Sequence, residues 1–328
     1  MNGHEEQITR LALKRRRKLG SLSDEAFAEL ELAVREDPSN FVDDDEEQAF
    51  SQIVAALDRY HDSCRDDDLL DDEQYAIASA KRYARLESDA RNALSIDPDC
   101  VDAMLIASIA QETQPDAFLD QLVDYEKMVN EEFGSIPRSA TGDTWTDVFM
   151  HPRLRLSNSI AFAFFTTARY RMAIERCCDL LAISPLDALG SRFVCALAMA
   201  RLEDERGLDW LDARDKRRGN AWMHLSRVLL MFKLGRMPAA RRALRGFDSL
   251  CPGGAYALLQ PMFVDKYLPD RPTFTPQTFT ETLLSVHEAS FVINDVPDFP
   301  HWASNLSWFW ESAHDFCHKN GFEWRDWE

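Results

Sequence analysis

Glycine is scarce in this chain, with 12 residues in 328, which disfavours glycine-turned nucleotide-binding α/β folds and turn-rich β-sandwiches. Alternating runs of β-branched residues are almost absent too, and the helix formers Ala, Leu, Arg and Glu, with Asp, dominate. The 7 cysteines, at positions 64, 100, 177, 178, 195, 251 and 317, are odd in number and contain no C-x-x-C. Neither a disulfide framework nor a zinc ribbon is indicated, and reduced thiols fit a cytoplasmic setting. Long apolar runs are missing. The longest, around Ile160 to Phe165 and Phe193 to Ala200, fall far short of the ~20 residues that span a bilayer. The first twenty residues place acids before their basic run and carry no apolar stretch like that of a signal peptide. A soluble protein without a membrane partner is therefore expected.

Positive charge is also short. Lys and Arg number 37 against 56 Asp and Glu, a net charge of −19, and such a field repels nucleic acid. The basic run Lys14-Arg15-Arg16-Arg17-Lys18 reads as a solvated helix face offsetting nearby acids. No glycine-rich phosphate loop, G-x-S-x-G elbow or H-E-x-x-H occurs, so no catalytic residue and no cofactor is assigned. His314 and His318 lie one helical turn apart without an evident third ligand, and no metal is assigned to them. The acidic tracts Asp43 to Glu47 and Asp66 to Glu73 lack the glycine and spacing of a calcium loop. Cys177 and Cys178 point in different directions on a helix and read as core thiols.

What is present is helical periodicity. Ser23-Asp24-Glu25 predicts an N-cap, with a helix running to about Pro38, and Phe50, Ile53, Val54, Leu57 and Tyr60 form the stripe of another over 46–61. A long helix from about Glu73 ends at Asp97-Pro98, the next runs through Leu105 and Ile109, and a third starts at Pro115 and ends at Phe133-Gly134. Residues 135–151 read as an excursion. Residues 154–187 then match a tetratricopeptide unit, two helices crossing at small residues with proline at the close. Ile160 and Ala161 form the large-small pair, Ala168-Arg169-Tyr170 the turn, Ala173 the crossing and Pro185 the end. The pattern returns at Trp222, Leu225, Gly235-Arg236-Met237, Ala240 and Pro252. The spacing of the two units predicts a degenerate unit over 188–219. The expected fold is all-α: a right-handed superhelix of antiparallel helix pairs, a tetratricopeptide-like α-solenoid, with helical extensions at both ends. Its parts are an acidic helical extension over 1–70, the repeat domain over 71–267 and an aromatic-rich cap over 268–328.

The order Arg91-Asn92-Ala93-Leu94, Asp97-Pro98-Asp99-Cys100, His151-Pro152-Arg153, Ile160-Ala161 and Ala173-Ile174-Glu175 resembles uncharacterised bacterial relatives of the suppressor of tumorigenicity seven family. The likeness covers roughly residues 80–262. It implies a tetratricopeptide-like helical fold and carries over no catalytic residues. The animal members are membrane proteins, from which this chain departs by lacking a membrane segment.

The expected function is a protein- or peptide-binding scaffold. Threading the repeat register puts Asn158, Phe162, Phe165, Arg192 and Arg227 on the concave face of the first helices, where they would receive an acidic or C-terminal carboxylate segment. Trp302, Leu306, Phe309, Trp310, Phe316, Phe322, Trp324 and Trp327 load the C-terminal part with aromatics. They serve either as a solenoid cap or as a homodimer contact. The competing expectation is an enzyme of unfamiliar type, with a site between the solenoid and the C-terminal region.

Overall fold

The computed structural model describes residues 3–137 and 139–324; Trp327 lies outside them. Short-range signals set the helix ends. Ser23 accepts a hydrogen bond from the Ala26 N–H, Asp71 and Gln74 form a reciprocal capping box, Pro115 opens a helix and Gly134, at φ 73°, closes it. Sixteen α-helices result among the described residues, with no strand. The first six are α1 (Gly3–Leu19), α2 (Asp24–Glu36), α3 (Asp45–Ser63), α4 (Asp72–Ile96), α5 (Val101–Ala110) and α6 (Pro115–Phe133). Two single 3-10 turns occupy the excursion before α7 (His151–Thr166) and α8 (Tyr170–Ile183). Then come α9 (Ser191–Arg201), α10 (Glu205–Arg214), α11 (Ala221–Lys233), α12 (Met237–Leu250) and the short α13 (Gly254–Leu259). The last are α14 (Phe279–Ile293), α15 (Asp298–Ser304) and α16 (Ser307–Asn320). No helix among the described residues is long and apolar enough to cross a membrane.

The chain divides into two compact units. The first comprises Met1–Ile160, Ile183–Ala188 and Leu268–Asp270, so the extension expected over 1–70 shares a unit with α4, α5 and α6. Within it α3 packs on α4, α4 on α5 and α5 on α6, in chain order. Ile53, Leu86, Ala90, Ala103 and Ile106 are buried in one cluster, and Ile8, Leu11, Ala12 and Val34 in another. Each side chain the size of Leu86 contributes about 1.5–3 kcal/mol on burial.

Charge is buried in this unit as well, and it is matched. The Arg155 guanidinium donates to Glu6 Oε1 and Oε2, both at 2.8 Å, and to Asp102 at 2.9 and 2.6 Å. His151 Nδ1 lies 3.2 Å from Glu6, with its ring stacked on Trp145 at 3.8 Å. Burial by itself would raise the Glu6 pKa, but hydrogen bonds from Arg155 and His151 hold it down to about 2. Arg10 is engaged likewise by Glu47 at 2.7 Å and Glu46 at 2.8 Å. These pairs tie α1 to α3, α5 and the start of α7.

The second unit comprises Ala161–Ala182, Leu189–Tyr267 and Arg271–Glu328. Three of its helices end in the same turn. Ala168, Glu203 and Gly235 adopt φ of 60°, 61° and 67°, roughly 34 residues apart. At each, the following N–H bonds back across the turn: Arg169 to Phe164, Asp204 to Met199 and Arg236 to Met231. Glycine is the natural occupant of that conformation, and only the third turn has it. Five residues beyond each turn residue stand Ala173, Leu208 and Ala240, all fully buried. Leu208, in the span expected to be degenerate, puts a larger side chain where the other two segments have alanine.

Helix α9 packs on α10 and α11, and α11 on α12. Helix α14 lies on both α9 and α11. Its Glu288, fully buried, accepts from Trp222 Nε1 at 2.9 Å, Tyr267 OH at 2.7 Å and Arg271 Nε at 2.5 Å. Trp222 stacks on Phe193 at 4.1 Å and meets Phe274 at 5.3 Å. The C-terminal aromatics Phe316 and Phe322 gather with Tyr256 and Phe279, while Phe299 and Trp302 cover Phe232. Phe309 is fully buried, and Trp310 remains 46% exposed.

Candidate functional site

The five residues expected on an open concave face are not together on one. Phe165 is fully buried, against Tyr170 and Phe291. Phe162 is covered by Tyr267 at 5.7 Å and Phe291 at 6.2 Å. Arg227 donates to Asp209 at 2.7 Å, and Asn158 belongs to the first unit. For the two phenylalanines the physical reason is α14, which packs on α9 and α11 and sets Phe291 against both rings.

Arg192 is the exception. It sits in the first turn of α9, its guanidinium 4.7 Å from the Phe193 ring centre and its Nε 4.0 Å from Asp215. It borders a cavity of about 700 Å³ whose other walls include the loop from Asp215 to Asn220, His224 of α11, Cys251, and Phe274 to Glu281. That volume lies within the range that holds drug-sized ligands. The loop brings two more guanidinium groups, Arg217 and Arg218, to the same cavity.

The loop's backbone explains how they get there. Lys216 and Arg217 adopt φ of 56° and 52°, the left-handed region that costs a side-chain-bearing residue about 1–2 kcal/mol each. Gly219 follows at φ 69°, and a Cβ there would come within 2.8 Å of His224 Nε2. Strain concentrated in one loop beside a cavity is a mark of functional sites.

The electrostatics favour holding an anion over attacking a substrate. Three guanidinium groups face two carboxylates, Asp215 and Glu281. Glu281 is already spent, accepting from the backbone N–H groups of Ala221 at 2.9 Å and Gln277 at 2.5 Å. Burial pushes the Cys251 thiol up to about 12, so no thiolate nucleophile is available there. Burial also lowers the His224 pKa, outweighing the pull of Asp212 and Glu281, and leaves the imidazole neutral near pH 7.

The other residues singled out from the sequence have ordinary partners. Lys14 pairs with Asp44, Glu46 and Glu47 at 2.9, 2.6 and 3.0 Å, and Lys18 pairs with Asp43 at 2.6 Å. Arg16 lies over Phe27 and Arg17 over Phe149, so the basic run is largely spent within its own unit. Asp44, Glu46 and Glu47 are also the carboxylates that converge closely enough for a metal ion, and the Lys14 ammonium stands among them. His314 is sandwiched between Trp310 at 3.6 Å and Trp324 at 3.7 Å. Cys178 bonds to Cys195 on the next helix, and that bond, with burial, raises its pKa.

Arg217 and Arg218 escaped the sequence reading. The available signal was Lys216-Arg217-Arg218, three consecutive bases between a predicted helix end and Gly219, in a chain of charge −19. No protein-family model, curated protein or solved structure matches this chain.

Proposed function

We propose that the chain is a binding module of tetratricopeptide-like antiparallel helix pairs that holds a carboxylate-bearing protein segment, an acidic stretch or free C-terminus, at the Arg192 pocket. The observation that carries this reading is the convergence of Arg192, Arg217 and Arg218 on one cavity of about 700 Å³. Guanidinium groups match carboxylates in bidentate geometry, and aromatic rings such as Phe274 give adjoining apolar side chains a surface. The rest of the molecule, strongly acidic, repels the same ligand elsewhere and so restricts it to this place.

The pocket also lies between repeat helices and the C-terminal segment, the position expected for an enzyme. The state of its groups argues for binding: a raised thiol, a carboxylate capping backbone N–H groups, and a single neutral histidine. The test is capture on immobilised peptides ending in a free carboxylate or in an amide. Wild-type chain is expected on the carboxylate form, with retention lost in Arg192→Ala with Arg218→Ala. Equal retention of both peptides, or full retention of the double variant, would remove the reading.

A further inference from the structure

The first unit contains a cavity of its own, of about 520 Å³. Its apolar walls include Phe50, Phe149 and Phe133, the last 56% exposed at the end of α6. Several charged groups also border it, and some are already matched. Arg10 is held by Glu46 and Glu47, and Asp102 by Arg155.

Three charges have no ion-pair partner among the described residues. Arg153 gives its Nη2 to neutral acceptors only, Asn130 Oδ1 at 2.8 Å and the Gly134 carbonyl. Its Nε is buried with no acceptor, a costly state that a ligand oxygen would relieve. Burial lowers the Arg153 pKa against the pull of Glu126, as expected of a cation lacking a close counterion. Asp97 and Asp99 form no ion pair among the described residues. Burial raises the Asp97 pKa, and repulsion from Asp99, Glu46 and Asp45 adds to it. The cavity thus offers a cation and two carboxylates without ion-pair partners among the described residues, and aromatic rings, in one enclosure.

We propose that this cavity binds an aromatic α-amino acid, with its carboxylate on Arg153, its ammonium toward Asp97 and Asp99, and its ring among Phe50, Phe133 and Phe149. Neither a plain anion nor a plain cation satisfies both sets of groups, whereas a zwitterion does, and the phenyl walls favour an aromatic body. The site shares no residue with the Arg192 pocket and stands without it.

The test is calorimetric titration of the full chain with L-phenylalanine and L-tryptophan, and with phenylalaninamide and N-acetyl-L-phenylalanine, each lacking one charge. Saturable binding of the amino acids is expected, with each blocked derivative at least about tenfold weaker, since each loses a charge-assisted hydrogen bond. Arg153→Gln should abolish the preference for phenylalanine over its amide while keeping the preference over the acetylated form. Asp97→Asn with Asp99→Asn should do the reverse, and unchanged thermal midpoints establish that both variants fold. The Arg192→Ala variant should bind phenylalanine as the wild type does. Absence of saturable binding to folded wild type, or equal affinity for all derivatives, would overturn the proposal, as would variants that keep both preferences.

Discussion

Two regions of the molecule, the contact between α1, α5 and α7 and the loop over 215–220, use arginine in opposite ways. Arg155, in the first, is buried with Glu6 and Asp102 along two edges of its guanidinium, which is raised well above its usual pKa, burial being outweighed by Asp102 and Glu6. Arg217 and Arg218, in the second, stand exposed on a strained loop beside a cavity. The first arrangement joins helices distant in sequence and leaves the charge nothing further to bind. The second leaves charge available at the cost of backbone strain. Position in the fold, and not residue type, separates an arginine matched by buried carboxylates from one exposed beside a cavity.

The sharpest way to break this contrast is to remove Arg155. Arg155→Ala leaves Glu6 and Asp102 buried without their cation and should cost about 3–5 kcal/mol of stability in urea unfolding. Arg217→Ala with Arg218→Ala should stay within about 0.5 kcal/mol of wild type, as exposed sites do. A loss below 1 kcal/mol for Arg155→Ala would erase the distinction.

Acid should single out the first unit next. The Glu6 pKa is about 2 in the folded chain against an ordinary 4.5. Its contribution is therefore complete above pH ~4.5 and is lost as pH falls toward 2, amounting to about 3 kcal/mol. Glu6→Gln should flatten that part of the stability-versus-pH curve. An unchanged acid slope would show that the pair does not govern it.

The smallest expected effect concerns the repeated turn. Ala168→Gly relieves a left-handed conformation and should stabilise by about 0.5–1 kcal/mol, while Gly235→Ala should destabilise by a similar amount. Thermal unfolding of the two variants, with shifts of opposite sign, checks the equivalence of the turns.

The helix ends were legible in the sequence because their causes are local. Ser23, Asp97-Pro98, Pro115 and Gly134 each act within a turn of the residue itself, and the structure puts boundaries at all of them. Two helices within 188–219 were legible from spacing, although Leu208 stands where the flanking segments have Ala173 and Ala240. The place of α14 was not. An apolar helix states that it must be covered and says nothing of which helices cover it. Phe162 and Phe165 therefore read as groove residues when they are the contact surface for Phe291. Arg227 misled for a related reason, since Asp209, its partner, lies on a different helix. Arg192 does border a cavity, but one walled by the loop beside it, which periodicity does not reveal.

Hydrogen exchange with a free-carboxylate peptide bound tests the central claim most directly. The account predicts slowed exchange at residues 216–224 and 274–281, with α1 to α6 unchanged, and no protection in Arg192→Ala with Arg218→Ala. Protection confined to other segments, or persisting in that variant, would contradict it.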